Sequence, residues 1–244
     1  MKLLLVGYGA MNRRVAKLAE ENGHEIVGAL SPTEENDCPY PLFESVTKDL
    51  PEADCLIDFS HPTLTKEVLS SDLAIPMVIA TTGEKETLLD LIDKKADTVP
   101  VFFSANMSYG VHIVTQLLET IAPLMDDYDI EMIEKHHNQK IDVPSGTLIK
   151  LLDAIKEKAR PDAKEVYDRS QITEKRDSKD IGISTIRGGT IVGEHEVLFA
   201  GHDEVISIKH SAQSKDIFAR GALKVAEQLV DKESGFYTYN NLGV

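Results

Sequence analysis

The sequence predicts an α/β protein in two parts: an open parallel sheet with helices between its strands, then an α+β region carrying a mixed sheet. Three observations predict this. Short apolar runs alternate with helix-period segments from Lys2 to Asn106. Beyond Gly110 the alternation gives way to strands joined by short glycine turns, with the helices set apart. The 244 residues suffice for one large domain or two modest ones.

Lys2 to Val6 is almost wholly apolar, as suits a strand buried on both faces, and it ends in Gly7-Tyr8-Gly9. Met11, Val15, Leu18 and Ala19 then recur at helical spacing, and Asn22-Gly23 closes that helix. His24 to Leu30 reads as the second strand of a strand, glycine turn, helix, strand unit. The rhythm repeats through strands within Asp54–Ser60, Pro76–Gly83 and Val99–Asn106, with helices from about Thr63 to Ser70 and from about Lys85 to Lys95. These strands end in Asp58-Phe59-Ser60, Ala80-Thr81-Thr82-Gly83 and Ser104-Ala105-Asn106. In an open parallel sheet such ends line the ligand crevice.

Val111 to Ala122 is the next helix, ended by Pro123, and Tyr128 to His136 the next strand. Leu148, Leu151, Leu152, Ile155 and Ala159 share one face of a helix whose first turn holds Ser145, Gly146 and Thr147. Strands follow within Asp180–Gly189, Thr190–Gly201 and Asp203–Ala212. The segment from Arg187 to His195 reads as a bulged hairpin, with Arg187 and His195 free to face a substrate. Phe218, Ala222, Val225, Ala226 and Leu229 form a last amphipathic helix that returns to the first part. The crossings fall near Ser108 and Ile217, dividing residues 1–107 and 217–244 from residues 108–216.

Twenty-six Lys and Arg against 41 Asp and Glu give a net charge of −15, which repels a nucleic acid backbone or an anionic membrane. A local cluster of cations and backbone amides still admits a small anion. Cys38 and Cys55 are too few for a disulfide framework and lack the paired spacing of a structural zinc site. The N-terminal apolar run is shorter than a membrane span and enters a glycine turn rather than a cleavage site, so a soluble cytoplasmic protein is expected.

Gly7 and Gly9 match the first two positions of G-x-G-x-x-G, and Asn12 takes the third. Because the turn follows a strand and opens a helix, it predicts a Rossmann-like dinucleotide site, with a pyrophosphate on the free amides of the helix start. Gly7, Tyr8, Gly9, Ala10, Met11 and Asn12 are its candidate contacts. A carboxylate at the end of the second strand would favour NADH. That place holds Leu30-Ser31-Pro32, with Glu34 and Glu35 slightly beyond, so NADH or NADPH remains open.

The stretch EKHHNQKIDVPSGT sets His136, His137 and Lys140 close to Ser145-Gly146-Thr147. Imidazole exchanges protons near neutral pH, and an ammonium stabilises negative charge developing beside it. Consecutive histidines in an extended chain face opposite ways, so a bend is expected, with Val143 pushed out of the helical region by Pro144. The amides of the Ser145, Gly146 and Thr147 turn, the threonine hydroxyl and the helix dipole would receive one carboxylate, and Lys140 a second. The stretch therefore predicts a small dianion held for proton delivery. No metal is expected, since adjacent histidines rarely converge on one ion. Ser145 lacks the elbow of a serine nucleophile. His24, His112, His202 and His210 offer no constellation.

The same stretch resembles the E-x-H-H-x-x-K-x-D-x-P-S-G-T signature of the 4-hydroxy-tetrahydrodipicolinate (dihydrodipicolinate) reductases of bacterial lysine and diaminopimelate synthesis. IDFS, ATTG, FSANMSYGV, IRGGTIVGEHEVLFAG and SKDIFARGAL extend the likeness over nearly the whole chain. The resemblance implies hydride transfer from NADH or NADPH to a cyclic dicarboxylate with loss of water. His136 would give and take a proton, Lys140 would donate one, and His137, Ser145, Gly146 and Thr147 would hold the carboxylates. It further implies cofactor contacts at the glycine turn, at Ser31, at Ala80, Thr81 and Thr82, and at Ser104, Ala105, Asn106 and Met107. Residues 1–107 and 217–244 would bind the dinucleotide, and residues 108–216 the substrate and the other subunits of a homotetramer. The chain departs from the family's usual G-x-x-G-x-M-G turn, being one residue shorter with Asn12 last, and lacks the acidic residue often found at Ser31. Two rival readings are a related dehydrogenase acting on an amino acid or sugar, and a non-catalytic redox sensor. The latter has no need of the proton-donating cluster.

Overall fold

The computed structural model describes residues 1–32, 37–47 and 49–243; Glu34 and Glu35 lie outside the described residues. The chain divides into two compact units, Met1–Ser108 with Asp216–Val244, and Tyr109–Lys215. In chain order the first unit contributes β1 (Lys2–Val6), α1 (Ala10–Glu21), β2 (Glu25–Leu30), β3 (Leu42–Phe43), β4 (Cys55–Asp58), α2 (Pro62–Leu69), β5 (Met77–Ile79), α3 (Lys85–Ala96) and β6 (Pro100–Phe103). The second contributes α4 (Tyr109–Ile121), β7 (Asp129–His136), α5 (Gly146–Lys158), β8 (Lys164–Val166), β9 (Asp180–Arg187), β10 (Gly193–Ala200) and β11 (Val205–Ala212). The chain then completes the first unit with α6 (Asp216–Leu229), β12 (Gly235–Tyr237) and α7 (Tyr239–Leu242).

In the first unit seven strands lie in the order β12-β6-β5-β4-β1-β2-β3, and each neighbouring pair is parallel. The continuous apolar runs of β1, β4, β5 and β6 are buried because helices cover them. On one side Leu64 and Val68 of α2 and Leu88 and Ile92 of α3 pack on Leu4, Leu56, Ile79 and Val101. Elsewhere α1 packs against α6, with Val15 and Ala19 buried on one helix and Ala222, Val225 and Ala226 on the other. Parallel strands bring their carboxyl ends to one edge, so the glycine turn and the ends of β2, β4, β5 and β6 share it.

In the second unit the order is β11-β10-β7-β9-β8. The strand β7 is central, parallel to β9 and antiparallel to β10. The hairpin expected between Arg187 and His195 is therefore absent: β9 and β10 flank β7, and their connection crosses its end. Two bonds hold that crossing, from the Gly188 amide to the His136 carbonyl at 2.9 Å and from the Asn138 amide to the Gly189 carbonyl at 3.2 Å. One face of this sheet packs Ile130, Met132, Ile183, Val197 and Phe199 against Leu118 of α4 and Leu148, Leu151, Leu152 and Ile155 of α5. Each such side chain contributes about 1.5–3 kcal/mol on burial. This packing anchors α5 beside the end of β7.

Candidate active site

The strand register assembles the cluster. Side chains two residues apart on a strand share a face, so Glu134 and His136 point the same way. In the pairing Arg187 stands opposite His136 on one side, and His195 stands opposite Glu134 on the other. Four polar side chains thus meet where the helix-covered face runs out, at the start of α5. Ser145 caps that helix, its Oγ accepting from the Leu148 amide at 3.3 Å.

Glu134 is fully buried. Its Oε1 accepts from the Ser145 amide at 3.2 Å and from Arg187 Nη2 at 2.8 Å, while its Oε2 is hydrogen-bonded to His136 Nδ1. Arg187 Nη2 also donates to the Asp142 carbonyl at 2.7 Å, tying the loop after His136 to β9. Ser145 Oγ is hydrogen-bonded to His195 Nε2 at 2.9 Å, and the His195 ring stands edge-on to that of His136 with centroids 5.1 Å apart. Lys140 pairs with Asp142 at 2.7 Å and remains partly exposed.

Burial by itself would raise the Glu134 carboxyl, but the Arg187 bond and the charges of His136 and Arg187 prevail and hold it below the usual carboxylate range. For His136 burial is the largest influence and lowers its pKa; Glu134 offsets part of this, while Lys140 and Arg187 add to it. His195 is pushed down to about 4, first by burial and then by the neighbouring His136. At neutral pH the cluster is an ionised carboxylate, a permanent guanidinium and two neutral imidazoles.

Sequence reasoning centred the site on His136, Lys140 and the helix start, and the structure brings His136 and Ser145 together there. Ser145 is the cap rather than part of the first turn, and its amide and hydroxyl are already engaged. Gly146 is exposed with open space around it, and Thr147 and His137 are half-buried. Glu134 gains a position that the sequence did not assign, and Arg187 and His195, expected only to face a substrate, join it in the cluster. The spacing of Glu134 and His136 was a readable signal, but the approach of His195 depends on strand order. Donor atoms of Glu134, His136 and His195 lie within 4.8 Å of one another, a spacing that admits a metal ion. Glu134 already has three hydrogen-bond partners, and His195 Nε2 is committed to Ser145, so we read the group as a hydrogen-bond network.

At the other candidate site Gly7 has φ +75°, and a Cβ there would lie 3.0 Å from Ser60 Cβ, so the turn requires glycine on both counts. Gly9 caps α1 without a side-chain bond, and a Cβ there would meet nothing within 4 Å. Uncapped amides beside open space fit a pyrophosphate. Asn12 faces inward beneath the turn, its Nδ2 donating to the carbonyls of Val6 at 2.8 Å and Gly7 at 2.7 Å. The side chain standing in the third glycine's place therefore staples the turn. Tyr8 is buried, with the Arg13 guanidinium 4.7 Å from its ring centre. Ala10 and Met11 open α1 at its solvent side.

Among the other strand ends, Thr82 and Ala105 are exposed, whereas Ser31, Ala80, Thr81 and Met107 are buried. Thr81 Oγ1 donates to Asp58 at 3.0 Å, joining the ends of β5 and β4. Ser104 Oγ donates to the Asn106 carbonyl at 2.7 Å, and Tyr239 Oη donates to that of Met107 at 2.7 Å. Several of the expected contact residues thus shape this edge through internal bonds.

A parallel sheet running through a glycine turn into an uncapped helix, together with a separate cluster of proton-exchanging side chains, defines an oxidoreductase of the Rossmann type that works with a nicotinamide nucleotide. The chain belongs to the dihydrodipicolinate reductase family: the family's N-terminal region matches residues 1–107 and its C-terminal region residues 110–242. The 4-hydroxy-tetrahydrodipicolinate reductase of Staphylococcus carnosus (strain TM300) is 58% identical over 242 residues, 99% of each chain. That of Staphylococcus aureus (strain bovine RF122 / ET3-1) is 58% identical over 245 residues, 99% of this chain and 100% of the other. Among solved structures, a dipicolinate-bound dihydrodipicolinate reductase from Paenisporosarcina sp. TG-14 superposes with a TM-score of 0.76 at 20% identity, covering 98% of this chain and 97% of its own. A C. glutamicum DAP dehydrogenase in complex with DAP gives 0.60 at 13% identity, covering 98% and 92%. At these identities the structural likenesses establish the fold.

Proposed function

We propose that the chain reduces 4-hydroxy-tetrahydrodipicolinate to tetrahydrodipicolinate, with loss of water, in diaminopimelate and lysine synthesis, using NADH or NADPH. Its relatives of 58% identity bear that activity's name over their full length. The observation that carries the reading is a buried His136, ringed by Glu134, Arg187 and His195, next to a helix start whose Gly146 is open. The first unit holds the nucleotide, with the amide end of α1 at Gly9, Ala10 and Met11 receiving the pyrophosphate. Bound there, reduced nicotinamide supplies a hydride. In the second unit the amides of Gly146 and Thr147 receive one carboxylate, and His137 and Lys140 neutralise the other. His136 and Lys140 deliver the proton that balances the hydride.

The second unit also carries the proposed homotetramer contact. Opposite the helices, its sheet presents Val205 at 62% exposure and Ile186 at 44%, beside half-buried Ile133 and Leu198, and no helix of that unit covers them among the described residues. No helix among the described residues is long and apolar enough to cross a membrane, and a cytoplasmic setting belongs to the same reading.

The test is a coupled assay that generates the unstable dicarboxylate in situ and follows nucleotide absorbance with NADH and NADPH in turn, beside a panel of amino acids and sugars. Oxidation with the dicarboxylate alone is expected. Turnover of an amino acid or a sugar in its place would overturn the proposal.

A further inference from the structure

We infer that Glu134 is a positioning residue that fixes His136 in the tautomer protonated on Nδ1, leaving Nε2 as the atom that exchanges a proton with the substrate. The inference rests on the role proposed for His136 and names the carboxylate and the nitrogen through which that role is exercised.

An ionised carboxylate can only accept. Oε1 of Glu134 is taken by two N–H groups, the Ser145 amide and Arg187 Nη2, neither of which can reverse its direction. Oε2 meets His136 Nδ1, and for that contact to be a hydrogen bond the proton has to be on Nδ1. Neutral imidazole carries one proton, so the lone pair falls on Nε2. The surroundings agree. Across the strand pair Gly193 leaves bare backbone against this nitrogen: a Cβ there would sit 3.0 Å from His136 Nε2. The groups facing the ring are Glu134 on its own strand, Arg187 on β9, His195 on β10 and Lys140 on the loop beyond. His195 Nε2 is bonded to Ser145, so Glu134 is the group hydrogen-bonded to the ring.

In the proton transfer the Nε2 lone pair of the neutral ring first takes a proton from solvent hydronium, so that imidazolium His136 carries N–H bonds at both nitrogens. The Nε2–H bond breaks, its electron pair stays on Nε2, and the proton forms a new bond to an acceptor atom of the substrate. Glu134 keeps its bond to Nδ1–H throughout and stabilises the charged form, offsetting the cost of burying it.

The test compares wild type with Glu134→Gln and Glu134→Asp, all labelled with 15N-histidine. Glutamine has the same shape, but its oxygen must face the Ser145 and Arg187 donors, so its NH2 turns to Nδ1 and moves the imidazole proton to Nε2. Above the ring's pKa, wild-type His136, assigned by its loss in His136→Gln, should show a protonated Nδ1 and a bare Nε2. Glu134→Gln should show the reverse, with kcat lowered about 10²–10³-fold and the KM for the dicarboxylate changed less than about threefold. Glu134→Asp, which can still accept, should retain the wild-type tautomer and a higher kcat than Glu134→Gln. A bare Nδ1 in the wild type overturns the inference, whether or not the variants fold. So does a reversed tautomer in Glu134→Gln with wild-type kcat. Absence of turnover by the wild type itself would instead overturn the proposed function, leaving the tautomer measurement to stand by itself.

Discussion

Replacing Arg187 by Met leaves the buried Glu134 carboxylate without the guanidinium that pairs with it. The guanidinium gives Glu134 a charged bond at 2.8 Å and holds the Asp142 carbonyl at 2.7 Å. Breaking a buried pair by removing one partner costs about 3–5 kcal/mol, and each hydrogen bond to a charged group is worth about 1.5–3. Since the Ser145 amide and His136 still serve the carboxylate, we expect a loss near the lower bound, about 3 kcal/mol at pH 8. The sign of its pH dependence follows from His136. With Arg187 gone, a repulsive charge disappears and the unpaired carboxylate attracts a proton, so the folded-state pKa of His136 rises. Burial still depresses that pKa, so both proteins lose stability as pH falls through it, but the variant, being less depressed, loses less, and its deficit should shrink at pH 6. Urea unfolding of both proteins at pH 8 and pH 6, at one protein concentration, measures this. A deficit under about 1 kcal/mol at pH 8, or one that fails to shrink at pH 6, would refute the reasoning.

Three further outcomes follow from single contacts. Asn12→Gly supplies the third glycine of G-x-G-x-x-G but strips the Val6 and Gly7 carbonyls of their donor; thermal unfolding should show a loss of about 1–3 kcal/mol, and equal stability would deny the staple. Gly193→Ala pushes a methyl toward His136 Nε2 and should lower kcat about tenfold or more while nucleotide binding by calorimetry is unchanged; wild-type kcat would contradict the close approach. His195 lies at about 4 in the folded protein against an ordinary 6.5, so its neutral form is bound up with folding. Its contribution is whole above the ordinary value and disappears as pH falls through the window down to about 4, up to about 3 kcal/mol. Over that window wild type should lose stability more steeply than His195→Gln, and parallel curves would exclude this.

Much of the first unit was legible because its signals are local. Apolar runs in β1, β4, β5 and β6 mark strands buried on both faces, and Gly7 announces the turn. The short edge strands β3, β8 and β12 have two or three residues each and carry no periodicity to read. The Arg187–His195 connection illustrates a different limit. Alternation identifies strands without their partners, so two successive strands joined by glycines looked like a hairpin, although β7 lies between them. The same limit hid half of the cluster: His136 and Lys140 stand out through their chemistry, whereas Arg187 and His195 reach His136 only through register. Asn12 departed from the glycine rule because its amide performs a packing task that no sequence pattern expresses.

Proton transfer by His136 during reduction of the dicarboxylate is tested by turnover of His136→Gln beside wild type in the coupled assay, with dicarboxylate binding followed by calorimetry. His136→Gln should show kcat lower by about 10²–10⁴ with binding retained. Turnover equal to wild type would contradict it.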